Sequence, residues 1–235
     1  MTTAPPPKKS DLGVRTASAV VMIAVAGSAL WLGGYWWTAF VAAVALGVLW
    51  EWWGLVQAIT PSFLYRALWL AGGLFYVGLA ASILAMASDQ VEGFFIRLAI
   101  VAGVIATDVG AYFAGRTFGG PKIAPAISPS KTWSGLIGGM LAASLVMVSL
   151  GFIGESLLAA AVGCGIAVVA QTGDFFESWM KRRAGVKDSG NLIPGHGGLF
   201  DRVDGLLAVT FVLGAVGMIV WALPIHETPY VRPHQ

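Results

Sequence analysis

The sequence predicts an all-α integral membrane protein, a polytopic bundle of about seven transmembrane helices. Three observations carry this. Of 235 residues, 57% are hydrophobic and only 11% are charged, whereas a soluble domain is about 25% charged. The apolar residues form continuous runs approaching the ~20 residues that span a bilayer, where the strands of a membrane barrel would alternate over about ten. The basic residues fall on one side of those runs. This composition excludes a soluble enzyme, a disordered chain and a nucleic-acid binder, and a formal net charge of +2 implies no polyanionic partner. The single cysteine, Cys164, excludes an internal disulfide and a cysteine-based zinc site. Among glycines and alanines it reads as a small packing residue.

In chain order, residues 1–15 read as a disordered cytosolic tail, rich in proline and lysine at its start. Residues 16–235 read as a single polytopic domain. Its apolar runs lie at 17–32, 36–49, 67–87, 94–114, 133–153, 157–170 and 206–223. The first has the basic flank of a signal peptide, but no convincing small-residue cleavage site follows, so it reads as an anchor. On the fifth, Gly135 and Gly139 form a small-xxx-small pair suited to close helix packing. Trp31, Trp36 and Trp37 flank the first outer turn, while Trp50, Trp52, Trp53, Trp69, Trp133 and Trp179 fall near inner boundaries, as an aromatic belt predicts. With the N-terminus in the cytosol, twelve of the fourteen basic residues face inward: Lys8, Lys9, Arg15, Arg66, Arg116, Lys122, Lys131, Lys181, Arg182, Arg183, Lys187 and Arg202. Only Arg97 and Arg232 lie near the outer face, with Asp89, Glu92, Glu155 and Glu227. The reverse orientation would invert the positive-inside asymmetry.

Polarity is concentrated in two inner segments, near 115–132 and 171–205, which read as cytosolic catalytic loops. The second holds Asp174, Glu177, Asp188, Asp201 and Asp204 together with five basic residues and His196. Asp201 and Asp204 are three apart and share a face if helical. Carboxylates of this kind suit Mg²⁺, which binds through a few oxygens plus substrate phosphates. Lys181, Arg182, Lys187 and Arg202 supply cations for phosphate. Pro194-Gly195-His196-Gly197-Gly198 forms a turn that lets backbone N–H groups approach an anion. Ser128-Pro129-Ser130-Lys131-Thr132 before the fifth run reads as a helix start, where free N–H groups, hydroxyls and a lysine also suit phosphate. Each feature has a plainer reading: a basic cluster at an inner boundary serves as a topology signal or a lipid contact, and residues 175–186 could form an interfacial amphipathic helix. Asp108 resists the plain reading. It lies well inside the fourth run, where a carboxylate costs about 2.5–3.5 kcal/mol on insertion scales. Acid, base and glycine turns together point to phosphoryl or nucleotidyl transfer, in which catalysis is mostly positioning and charge neutralisation.

These residues also carry a family resemblance. Ser178-Trp179-Met180-Lys181-Arg182, Lys187-Asp188 and Pro194-Gly195-His196-Gly197-Gly198-Leu199-Phe200-Asp201-Arg202-Val203-Asp204 resemble the signature of the CDP-diacylglycerol synthases (phosphatidate cytidylyltransferases). Upstream, Thr107-Asp108-Val109-Gly110-Ala111-Tyr112 through Arg116, and Ser128 to Thr132, resemble a second block of that family. Ser130 and Ser134 depart from it, since members often carry a basic and an acidic residue there. The resemblance implies condensation of phosphatidate with CTP to give CDP-diacylglycerol and pyrophosphate. It implies catalytic roles for Asp174, Lys187, Asp188, His196, Asp201, Arg202 and Asp204, with Mg²⁺ on Asp174, Asp201 and Asp204 and room for a second, monovalent cation. It implies substrate contacts from Asp108, Tyr112, Arg116, Ser128, Lys131, Thr132, Ser178, Lys181, Arg182, Gly197 and Gly198. It further implies a bacterial cytoplasmic (inner) membrane, membrane lipid as surroundings, no nucleic-acid partner and a homodimer. Two other readings compete: a CTP-dependent kinase of a polyprenol or related lipid alcohol, and a small ion-coupled transporter. No inverted repeat of the transporter kind is visible in the chain.

Overall fold

A computed structural model describes residues 12–86, 91–151 and 153–223, with the side chains of Val91 and Glu92 left undescribed. It contains seven helices: α1 Leu12–Leu32, α2 Gly34–Ile59, α3 Phe63–Met86, α4 Val91–Phe118, α5 Trp133–Leu150, α6 Ser156–Ala184 and α7 Phe200–Ala222. All seven are long and apolar enough to cross a membrane, so the expected class and span number hold. Lys8, Lys9, Asp89, Glu227 and Arg232 lie outside the described residues.

The element bounds differ from the hydropathy runs in one systematic way. At the inner end, helices continue where apolar residues stop. Helix α2 runs on through Trp50 to Ile59, α4 extends to Phe118, and α6 continues from Gln171 to Ala184. The segment read as a loop at 171–205 is therefore two helix ends joined by residues 185–199. Helix α1 begins at Leu12, inside the expected tail. The physical reason is length. The 29 residues of α6 extend about 43 Å at 1.5 Å per residue, well beyond a ~30 Å hydrocarbon core. Its last turns thus carry Asp, Glu, Lys and Arg without placing them in lipid.

Consecutive helices alternate in direction, so the ends of α2, α4 and α6 meet the starts of α1, α3, α5 and α7 at one end of the bundle. Every described basic residue except Arg97 falls there. Arg97 is 2% exposed and lies over the Trp37 ring, 5.7 Å from its centroid.

Two packed clusters hold the bundle together. Helices α2, α3, α6 and α7 enclose Val48, Trp52, Val56, Val77, Met180, Phe200 and Leu207, while α4, α5, α6 and α7 enclose Ile100, Val104, Met147, Ile166 and Val209. Helices α4 and α5 pair most closely, through small residues. A β-carbon on Gly138 would overlap Ala114 Cβ and the Gly110 carbonyl, and one on Gly139 would press on the Thr107 carbonyl. In lipid, where hydrophobic burial drives little helix association, such close approach supplies the packing.

A buried carboxylate ties the connecting segment 185–199 to the bundle. Glu51, on the part of α2 beyond the apolar run, is 4% exposed. Its Oε1 accepts from Leu199 N at 2.9 Å, and its Oε2 accepts from Phe200 N at 2.8 Å and from Ser189 Oγ at 2.9 Å. Helix α7 has no side-chain N-cap of its own, so Glu51 satisfies the first donors of α7 from another helix. Gly190 and Gly198 press so close that a β-carbon on either would enter the carboxylate.

Gly138→Leu should destabilise the protein by about 1–3 kcal/mol through overpacking, read as a lowered melting temperature in detergent. Glu51→Ala leaves the Leu199 and Phe200 N–H groups unmet, at about 1–3 kcal/mol for a buried group. Trypsin should then cleave the exposed Lys187 bond faster, with Glu51→Gln intermediate. Unchanged cleavage in Glu51→Ala would show that the carboxylate does not hold the segment.

Candidate active site

Three helix ends and two connections build the site: the end of α4, the connection 119–132, the start of α5, the end of α6, and the connection 185–199 leading into α7. Helix propagation places Asp174, Glu177, Ser178 and Lys181 along one side of α6 by i, i+3 and i+4 spacing. The start of α7 at Phe200 places Asp201 and Asp204 one turn apart, as the three-residue spacing predicts.

Asp174, Glu177 and Asp204 converge, with one oxygen of each lying within 4.8 Å of the others. At an effective dielectric of about 20, charges that close repel by on the order of 3 kcal/mol per pair. Two lysines answer this. Lys131 Nζ pairs with Asp174 Oδ2. Lys181 Nζ bridges Glu177 Oε2 at 2.6 Å and Asp201 Oδ1 at 2.5 Å. Ser178 Oγ donates to Asp174 Oδ1 at 3.3 Å.

Asp201, expected in a metal set with Asp174 and Asp204, is not one of the converging trio but sits against Glu177 and shares Lys181 with it. Its other oxygen, Oδ2, accepts from Ser189 N, Ser189 Oγ and Gly198 N, each at 2.9 Å. Glu177 takes the third place in the trio. Its Oε1 is buried and has no hydrogen-bond partner among the described residues. A buried carboxylate oxygen without a donor, in an all-oxygen set, fits a divalent cation.

Beside the trio lies a polar cleft of about 460 Å³, lined by Asp108, Tyr112, Arg116, Lys122, Ser130, Lys131, Thr132, Gln171 and Asp174. Asp108 thus faces this cleft rather than lipid. The connection 119–132 folds back on itself through an isolated bridge between Lys122 and Thr132, with Ile123 N donating to Lys131 O at 3.1 Å. That bridge sets Lys122 and Lys131 side by side. Thr132 caps α5 by accepting from Gly135 N at 3.1 Å. Ser134 Oγ donates to Gly119 O, so this departure from the family pattern closes the connection. Arg116 Nη1 donates to Tyr112 Oη at 2.8 Å. Ser128 is buried, with its hydroxyl 3.5 Å from that of Ser130, and does not line the cleft. Arg182 crosses between the two connections, donating to Ile127 O at 3.5 Å.

The turn 193–197 closes by Ile193 N donating to Gly197 O at 3.0 Å, and Gly195 and Gly197 adopt φ of 75° and 84°, which glycine reaches without strain. Gly197 packs against Asp188 and Asp201. The Gly198 N–H serves Asp201 rather than standing free for an anion. His196 Nδ1 lies 2.8 Å from Ser18 Oγ of α1, and Arg202 Nη2 donates to His196 O at 2.6 Å. Lys187 is exposed beside this turn.

Sequence reasoning missed Glu51, Ser18, Ser189 and the place of Glu177 in the trio. Two had signals. Glu51 is a carboxylate within Trp50-Glu51-Trp52-Trp53, open to the same cost argument that marks Asp108. Glu177 is three residues past Asp174, the spacing that links Asp201 to Asp204. Ser18 carries no such signal, because it meets His196 across 178 positions.

The chain is similar to known proteins over most of its length. A model of the cytidylyltransferase family matches residues 62–220, a range that includes the carboxylate trio, the cleft and both connections but neither Ser18 nor Glu51. A phosphatidate cytidylyltransferase of Brucella suis biovar 1 (strain 1330) is 38% identical over 259 aligned residues, which cover 89% of this chain and 94% of that protein. One of Rickettsia bellii (strain RML369-C) is 34% identical over 218, covering 88% and 90%. One of Haemophilus influenzae is 44% identical over 128, covering 51% and 44%. With the match running through α3 to α7 and the site inside it, this integral membrane protein belongs to the cytidylyltransferase family.

Proposed function

We propose that the chain is a phosphatidate cytidylyltransferase, condensing phosphatidate with CTP to give CDP-diacylglycerol and pyrophosphate. Family membership and the activity for which the relatives are named support this reading. The observation that carries it is the cleft, which sets Arg116, Lys122 and Lys131 against the carboxylates of α6 and α7.

An oxygen of the phosphatidate phosphate attacks the α-phosphorus of CTP. The new P–O bond forms as the bond from that phosphorus to the bridging oxygen breaks, and pyrophosphate leaves with the electron pair. The nucleophile is already an anion, so the site needs no strong general base. Arg116, Lys122 and Lys131 hold the triphosphate, and Lys131 exchanges part of its pairing with Asp174 for phosphate oxygens. Lys181, Arg182, Lys187 and Arg202 hold the lipid phosphate. With Nδ1 of His196 beside Ser18, Nε2 is the nitrogen left to meet phosphate. Asp174, Glu177 and Asp204, with Asp201 alongside, would hold Mg²⁺, which when bound neutralises the triphosphate and the leaving pyrophosphate. Asp188 orients the turn through its packing on Gly197. The concentration of basic residues at this end supports an orientation with the N-terminus and site facing the cytosol in a bacterial inner membrane.

The purified protein, given phosphatidate, α-labelled CTP and Mg²⁺, should form labelled lipid and pyrophosphate in equal amounts. EDTA should stop the reaction and added Mg²⁺ restore it. Asp174→Asn should lower turnover by on the order of 100-fold while keeping the wild-type melting profile. Release of CDP with a phosphorylated lipid would instead identify attack at the γ-phosphorus. For orientation, a cysteine at exposed Asn191, in a Cys164→Ser background, should react with a membrane-impermeant maleimide in inside-out vesicles. Labelling only in right-side-out vesicles would invert the topology.

A further inference from the structure

We propose that an apolar cavity between α3, α6 and α7 holds an acyl chain of the lipid substrate, on the opposite side of α6 from the cleft that takes the nucleotide. The inference rests on the lipid being phosphatidate, as above. The cavity measures about 700 Å³. Trp52, Trp69, Tyr76, Phe176 and Phe211 form much of its wall, with ring centroids 5.0 Å apart for Tyr76 and Phe211 and 5.9 Å apart for Trp52 and Phe176. The Trp52 indole N–H is already donated to Trp69 O at 3.0 Å. Such a wall offers a headgroup or water almost nothing, and offers hydrocarbon a large dispersion surface.

Position, more than composition, identifies the occupant. Successive faces of α6 divide the two spaces: Gln171 and Asp174 line the polar cleft, while Val169, Thr172, Gly173 and Phe176 line the apolar cavity. Asp174 and Glu177 therefore sit on the ridge between them. At that ridge Gly173 packs directly on the Asp204 carbonyl and on Ala208, leaving no room for a side chain. The cavity thus lies one face of α6 away from the carboxylate trio, whose side chains are not in its wall, and the largely exposed Tyr65, Leu68 and Gly72 open it sideways. Two other apolar hollows, one of about 350 Å³ among α1, α2, α3, α4 and α7 and one against α1 and α2, have no α6 residue in their walls.

A second observation points the same way. The Tyr76 hydroxyl is buried in this wall with no hydrogen-bond partner among the described residues. A lipid oxygen that reached it would satisfy an unpaired donor. An amphiphile seated here would carry its phosphate at the inner end of α6, where Lys181 and Arg182 project, and the α-phosphorus of the nucleotide would meet it there.

Gly72 provides the test, because a side chain there meets no atom within 4 Å and would project into the open cavity. Gly72→Phe should raise KM for dioleoyl phosphatidate about tenfold and KM for dioctanoyl phosphatidate much less, with KM for CTP and the melting temperature unchanged. Tryptophan fluorescence of the wild type should be quenched by dibrominated phosphatidate and less so in Gly72→Phe. Equal KM and equal quenching in the two proteins would overturn the inference, leaving only annular lipid at this face. A change of oligomeric mass in Gly72→Phe without a change in KM would also overturn it, assigning the cavity to a second copy. A wild type that forms no labelled lipid from either phosphatidate would fail the proposed function itself, and the quenching measurement would still test the cavity.

Discussion

Four carboxylates at the ends of two helices repel one another, and two lysines hold them together. Lys131 reaches Asp174 from the α4–α5 connection, and Lys181 spans Glu177 and Asp201 between α6 and α7. Each lysine therefore both compensates charge and links elements distant in sequence. The pairs are partly buried, where Coulomb attraction is stronger than at a surface but unmatched charge is far more costly. The arrangement is poised for substrate. A substrate phosphate entering here competes with these carboxylates for the same two lysines.

The rest of the bundle keeps those ends in register. Gly138 and Gly139 let α5 approach α4 closely, and Gly173 lets α6 approach the opening turns of α7. Glu51 then supplies what α7 lacks, an acceptor for its opening N–H groups, and through Ser189 it touches the Asp201 carboxylate as well. A hydrogen-bonded path thus runs from α2, which contributes nothing to the cleft, to the acidic cluster.

The class, the number of spans and the two polar segments were legible in the chain because hydrophobic continuity and charge placement are local properties. Asp174 and Asp204 were legible as partners through type and motif, and the cleft does bring Asp108, Lys131 and Asp174 together. Helix ends were not legible. Hydropathy reports the lipid boundary, whereas a helix stops only where a cap or turn provides for its backbone groups, as Gly185 does for α6 with φ of 71°. The reading of 171–205 as loop failed for that reason. Glu51 and Ser18 escaped because their partners lie across the fold, where spacing carries no information.

The sequence by itself determined that this is a membrane bundle whose few charges gather at one end, and that those charges have the types needed to handle two polyanions. Burial cost in hydrocarbon leaves a chain of this composition little alternative. Only the tertiary structure decided which carboxylates meet, which lysine serves each, and that α6 parts a polar cleft from an apolar cavity. Those outcomes depend on the rotation and crossing of packed helices, set by side chains far apart in the chain.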